Sequence, residues 1–307
     1  MQKHVRSLKL MGNNFAITVV SDDADYASHA IDLAIQEIQR IEKLLTTFSN
    51  DSATYRINEM AGIQPVIVSP EVFELIERSI NISKLTQGAF DISYGSMDKN
   101  FWNFNTTMTA LPDPAEAKKQ VHLINYRNII LDAKKQTVFL KEKGMRIGFG
   151  GIGKGYAAEM AKRVLLKSNI ASGIINASGD LTTWGTQPEG KPWTIGVANP
   201  DQPRQAFSYL GISDKAVATS GNYEKFVMIG GKKYSHTIDP KTGYPIAGIK
   251  SVTVIAKNAE LADAMATPIA VMGKEAALFM INQIPDLHCI IIDDCNTVFT
   301  SKNIKLQ

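Results

Sequence analysis

The chain has 307 residues, 44% hydrophobic and 21% charged, close to the averages for soluble globular domains and long enough to bury a substantial core. Its 33 basic and 30 acidic residues give a formal net charge of +3 and are spread along the whole length. With no polybasic block, a nucleic-acid partner is excluded as a first reading, whereas a small anion held by local charges and helix ends is not. No apolar run reaches the ~18 residues of a membrane span.

The N-terminal segment carries basic residues but no apolar core ending in a small-residue cleavage site, and no cysteine stands near it to bear a lipid. The expected compartment is therefore the cytoplasm for the sequence as it stands, or the periplasm or a membrane anchor if a leader has been removed. Leu8 to Leu10 and Phe15 to Val20 read as strands around a Met11-Gly12-Asn13-Asn14 turn. From Ala24 to Leu45, Ile31, Ile35, Ile38, Ile41 and Leu45 recur at three and four, which predicts a helix with one apolar stripe. The polar run Thr46 to Ser52 breaks that pattern and reads as a loop with one exposed aromatic, Phe48. Ser69 and Pro70 then open a second helix through Val72, Leu75, Ile76 and Ile80.

Asn103 to Pro114 is turn-rich and reads as a surface excursion. Strands are predicted at Asn128 to Leu131, Thr137 to Leu140, Ile174 to Asn176, Trp193 to Ala198, Ala216 to Ser220, Lys225 to Ile229, Ser251 to Ala256 and Leu287 to Ile292. Helices from Tyr156 to Lys167 and from Glu260 to Ile284 interleave with them, so the class is mixed α/β (α+β). Cys289 and Cys295 flank the last strand with no histidine at metal spacing, and read as structural thiols.

Five segments bear chemistry. Gly148-Phe149-Gly150-Gly151-Ile152-Gly153 meets the G-x-G-x-x-G spacing, but it lies mid-chain and the next strand ends in Asn176 rather than an acid, against a dinucleotide fold. It is still either a packing turn or an anion cradle at a helix start, with Lys154 adding a positive charge. Asp263 and Thr267, four apart, present two hard oxygens on one helix side, as a magnesium pair or as an ordinary polar face, and Pro268 beside them should disturb the helix. His236, in a Pro- and Gly-ordered turn with Asp239, is either a surface residue or a base. Asn176-Ala177-Ser178-Gly179-Asp180 and Ala218-Thr219-Ser220-Gly221-Asn222 end strands as ligand loops or as plain turns.

In order, the Met11-Gly12 turn, Thr47-Phe48-Ser49 to Asn58, Gly88-Ala89-Phe90-Asp91, Gly150 to Tyr156, Asn176 to Asp180, Thr219 to Tyr223, Ser235 to Pro240 with Thr242 to Pro245, and Ala262 to Thr267 resemble the ApbE-type FAD:protein FMN transferases. The resemblance reaches from Met11 to Gly273, almost the whole chain; the last three segments are its specific ones. The chain departs from the common pattern at Ser52-Ala53-Thr54, where the family has a carboxylate, at Asn13 and at Pro268. The resemblance implies one domain over residues 1–307, two-lobed, with mixed or antiparallel sheets flanked by helices and FAD in the cleft between the lobes.

It further implies Mg2+ held by Asp263, Thr267 and the carbonyl of Gly151 or a close neighbour, and FAD contacts from Met11, Phe48, Asp91, Lys154, Asp180, Thr219, Ser220, Gly221 and His236. His236 matches the catalytic base of the family. The implied reaction moves FMN from FAD to a threonine of an acceptor flavoprotein, such as a subunit of a membrane redox complex, and releases AMP. A dedicated FAD pyrophosphatase and a non-catalytic flavin carrier are the alternatives.

Overall fold

In a computed structural model of the protein, which describes residues 1–97, 110–202, 205–221 and 226–304, the chain opens with a hairpin of β1 (Gln2–Leu10) and β2 (Asn13–Ser21). Its two-residue turn, Met11-Gly12, has φ of 50° and 72°, the left-handed pair whose twist matches the strands it joins. α1 (Ala24–Leu45) starts where Asp23 accepts a bond from the Tyr26 N–H, and buries Ala27, Ile31, Ala34, Ile38 and Ile41 along one stripe. Ser52 caps α2 (Ala53–Glu59), and Ser69 with Pro70 opens α3 (Pro70–Leu85) after the short β3 (Val66–Ile67). A 3-10 turn at Ile92–Ser96, α4 (Pro114–Gln120), β4 (Ile129–Asp132) and β5 (Thr137–Leu140) follow.

The second half contains α5 (Gly153–Lys167), β6 (Gly173–Ala177), β7 (Asp180–Trp184), β8 (Trp193–Ala198), β9 (Ala206–Ile212), β10 (Ala216–Gly221), β11 (Phe226–Ile229), β12 (Lys232–Ser235) and β13 (Ile249–Ala256). It ends with α6 (Ala259–Met272), α7 (Lys274–Ile281), β14 (His288–Asp293) and β15 (Val298–Thr300).

Eight strands form one antiparallel sheet in the order β1-β2-β6-β7-β10-β13-β14-β15. Helices α1, α5 and α6 pack side by side on one face. The β8–β9 hairpin covers the other, where Trp193, Ile195, Val197, Leu210 and Ile212 meet Leu181, Val217, Ile255 and Ile290. Covered on both faces, β13 is buried at every position, and its Lys250 is matched by Asp201 and Asn296 at 2.7 and 2.6 Å.

The single helix expected from Glu260 to Ile284 is two. Gly273, at φ 79°, ends α6, a backbone angle that a side chain would resist. Pro268 does not end the helix but sits inside α6, where its missing N–H leaves the Ala264 carbonyl without its i+4 donor. β3, β7, β9, β12, β15, α2 and α4 escape the sequence reading; β7 is buried at all five positions and so shows no alternation of polar and apolar residues. Of the expected surface excursion, residues 103–109 lie outside the described residues, as do Asn222, Tyr223 and Lys225. Among the described residues no helix is long and apolar enough to cross a membrane.

Where β2, β6 and β7 pair there is no space for another carbon: a Cβ on Gly173 would lie 2.5 Å from both the Thr18 carbonyl and the ring of Trp184. Gly173→Ala is expected to cost about 1–3 kcal/mol of stability by overpacking. Urea unfolding should show a lower midpoint at unchanged slope; an unmoved midpoint would mean the sheet centre yields freely.

Candidate active site

The glycine-rich turn ahead of α5 is gripped from three sides. Asn58 clasps the backbone that enters it, donating to the Ile147 carbonyl at 3.0 Å and accepting from the Ile147 N–H at 2.7 Å. A Cβ on Gly153 would stand 3.7 Å from the Met11 Cε, one on Gly151 3.6 Å from the Phe90 ring, and one on Gly148 3.9 Å from the Thr47 Cγ2. The first hairpin turn, the polar loop after α1 and the segment before the 3-10 turn thus converge on this backbone. Ile152, at the helix N-cap, makes no side-chain capping bond, so the first turn of α5 looks outside its own sequence for acceptors.

Its acceptor comes from α6. The Gly155 N–H donates to Asp263 Oδ2 at 2.9 Å, and the helices come so close there that a Cβ on Gly155 would lie 2.1 Å from the Ala259 carbonyl. Lys154 Nζ sits between two carboxylates, 3.0 Å from Asp180 Oδ2 and 3.4 Å from Asp263 Oδ1. Asp180, the first residue of β7, is held by the Thr219 N–H of β10 at 3.3 Å, and the Thr219 hydroxyl meets that of Thr253 on β13 at 2.9 Å. Both acids are 6% exposed.

Burial raises the Asp180 carboxyl to about 6, the Asp263 charge adds to the rise and the Lys154 ammonium opposes it. Burial also acts against the charge on Lys154, but Asp263 and then Asp180 outweigh it and lift the ammonium above its usual range. Two acids and one ammonium leave an excess negative charge in a shielded spot beside helix N–H groups. Among the described residues no cluster of three or more His, Cys, Asp or Glu is set to hold a metal. Magnesium does not need one, since it is commonly bound through one or two carboxylates, waters and substrate phosphates. The donor set of Asp263, Thr267 one turn along α6, and turn carbonyls fits such an ion.

The remaining residues singled out by sequence are placed as follows. Thr267 is half-buried, and Ser220 and Gly221 finish β10 beyond Thr219. Phe48 is 94% exposed at the rim, next to Thr47. Asp91 is buried and committed to the scaffold, accepting from the Ser93 N–H and hydroxyl at 2.8 and 2.6 Å and from the Tyr126 N–H at 2.7 Å.

His236 is exposed directly after β12. Its loop folds back on itself: Asp239 accepts from the Lys241 N–H at 2.8 Å and the Thr242 hydroxyl at 3.0 Å, and Ile238 bridges Pro245. Tyr94 accepts from the Ile238 N–H at 3.2 Å, and Tyr244 donates to the Pro112 carbonyl at 2.7 Å. Sequence reading missed Tyr94, Gly155 and Thr253, whose parts depend on partners far away in the chain.

Lys154→Met leaves Asp180 facing Asp263 without a cation and is expected to cost about 3–5 kcal/mol at pH 7 in metal-free protein. A carboxyl whose folded pKa is raised binds more protons folded than unfolded between its ordinary value and about 6, so stability falls as pH rises through that window. Without the ammonium the Asp180 rise grows, so the deficit of the variant should shrink between pH 7 and pH 5. A pH-independent deficit in urea melts would contradict this charge assignment.

The ApbE family model matches residues 11–291. The FAD:protein FMN transferase of Klebsiella pneumoniae (strain 342) is 31% identical over 303 residues, covering 98% of this chain and 92% of that protein. The FAD:protein FMN transferase of Treponema pallidum (strain Nichols) is 28% identical over 311 residues, covering 95% and 85%. Among solved structures, the ApbE protein of Thermotoga maritima matches with a TM-score of 0.87 and 29% identity, over 98% of this chain and 97% of that one. The flavin transferase ApbE of Vibrio cholerae shares the fold at a TM-score of 0.83 and 24% identity, over 98% and 97%. With a family match across nearly its full length, the chain belongs to the ApbE family, the family of the FAD:protein FMN transferases.

Proposed function

We propose that the protein is a magnesium-dependent enzyme that transfers the FMN half of FAD through a phosphoester bond to a threonine of an acceptor flavoprotein. The observation that carries this reading is the Lys154–Asp180–Asp263 cluster, its two acids buried, against the first turn of α5, which has no capping side chain of its own, a place suited to a cation and phosphates together. The helix N–H groups and Lys154 receive the diphosphate. Phe48, an aromatic ring left exposed, and Met11 take the flavin ring, while Thr219, Ser220, Gly221 and Asp180 take the adenosine end. Asp91 serves by holding the segment that sets Phe90 against Gly151.

Asp263, Thr267 and the carbonyl of Gly151 would hold Mg2+, with waters and substrate phosphates completing its shell. When bound, the ion offsets the negative charge that makes a diphosphate repel an incoming oxygen. In the transfer, the threonine oxygen forms a bond to the FMN-side phosphorus, and the bond from that phosphorus to the bridging oxygen breaks. AMP departs with the electron pair. His236 accepts the hydroxyl proton, a contribution of roughly 10²–10⁴ in rate. Its loop, tied down through Tyr94, Asp239 and Tyr244, keeps the imidazole in place for that task.

The test is incubation with FAD, Mg2+ and a threonine-bearing acceptor, with AMP measured by chromatography and the acceptor by intact mass. Wild-type protein should release AMP and add FMN to the acceptor, and chelation of the metal should stop both. His236→Ala should lower transfer about 10²–10⁴-fold with FAD still bound. Asp263→Asn should lose both AMP and adduct. Free FMN and AMP with an unmodified acceptor would replace the proposal by a pyrophosphatase, and FAD bound without any AMP would replace it by a carrier.

A further inference from the structure

α5 and α6 cap one another. Asp263, in the second turn of α6, takes the Gly155 N–H at the start of α5 at 2.9 Å; in return Glu159 of α5 takes the Ala259 N–H, the first of α6, at 2.8 Å. The two bonds join residues four apart on each helix, about 6 Å along the axes at 1.5 Å per residue. A clamp at two points fixes the axial register of the pair as well as its separation. Glu159 is 9% exposed, and Gly155 leaves room for no intervening carbon. Asn258 already caps the Leu261 N–H at 2.9 Å, so Glu159 supplies a separate tie for the end of α6.

We infer that Glu159 is a positioning residue for the cation site. Its bond to Ala259 sets α6 at the height where one Asp263 oxygen reaches Gly155 and the other is left facing Lys154 and the ion. The inference rests on the proposed role of Asp263 as a metal ligand. A partner that orients a ligand from behind typically changes metal affinity by roughly 10–100-fold when removed. A buried cap with no role at the site would lower stability and leave that affinity alone.

The test uses Mn2+ alone as the probe, its free signal followed by electron paramagnetic resonance on metal-free protein. Glu159→Ala should weaken Mn2+ binding about tenfold or more. Glu159→Gln, which keeps the acceptor oxygen, should retain wild-type affinity. Ser301→Ala removes a buried bond to the Cys289 N–H at the β15 edge; it should lower the melting temperature without changing Mn2+ affinity. If Glu159→Ala does not fold, Ala259→Pro removes the same bond from the donor side. Proline is accepted at the first helical position, and Asn258, at φ −150° and ψ 158°, suits a following proline. That variant should show the same loss.

Unchanged Mn2+ affinity in Glu159→Ala, or an equal loss in Ser301→Ala, overturns the inference alone. Wild-type protein that does not bind Mn2+ overturns the metal reading of Asp263 as well.

Discussion

An ammonium held between two buried carboxylates organises this molecule. Removing such charges from water costs several kcal/mol each, and the cost is offset only when partners are near and hydrogen bonds satisfy the remaining lone pairs. Asp263 meets that condition with the Gly155 N–H and Asp180 with the Thr219 N–H. The ends of α5, α6, β7 and β10 must therefore meet within a few ångströms, and the glycines and threonines nearby are small enough to allow it. A local group of this kind stabilises little by itself. Its placement makes sense as the preparation of a charged site in a shielded environment.

The rest of the fold serves that convergence. A broad antiparallel sheet, covered by α1, α5 and α6 on one face and by β8–β9 on the other, gives a stiff platform whose strand ends deliver Asp180 and Thr219. The Met11 turn and the loop bearing Thr47 also come up against the glycine-rich turn. More distant ties keep α5 in place: Tyr156 donates to Glu71 at 2.7 Å, Glu71 is held by Arg40 at 2.7 Å, and the carboxyl of Glu71 is drawn below the ordinary range chiefly by that guanidinium. Arg78 on α3 grips Glu260 at 2.6 Å, which anchors the first turn of α6 from a third helix. Rigid elements on all sides suit the proposed site, in which two phosphates and two reacting oxygens must be positioned.

Much of this was legible from local rules. Asp23 excepted, the helix starts at Ser69-Pro70, the apolar stripe of α1 and the Met11-Gly12 hairpin depend on neighbours in sequence, and they stand where periodicity and turn chemistry place them. β7 did not show itself because a strand covered on both faces loses alternation, and its Thr182 and Thr183 are buried like its apolar neighbours. The break at Gly273 was hidden by the apolar run around it, which either a long helix or two short ones satisfies.

The sequence by itself determined the mixed class and the family resemblance, and it singled out the acids, the lysine, the histidine and the glycines proposed for the site. Only the tertiary structure decided that Lys154 lies between Asp180 and Asp263, that Asp91 serves the scaffold, and that Glu159 and Asp263 cap each other's helices. The physical reason is range. Helix periodicity and turn preferences act over a few residues, whereas these contacts join positions up to about a hundred apart, and their partners are set by how the helices pack on the sheet.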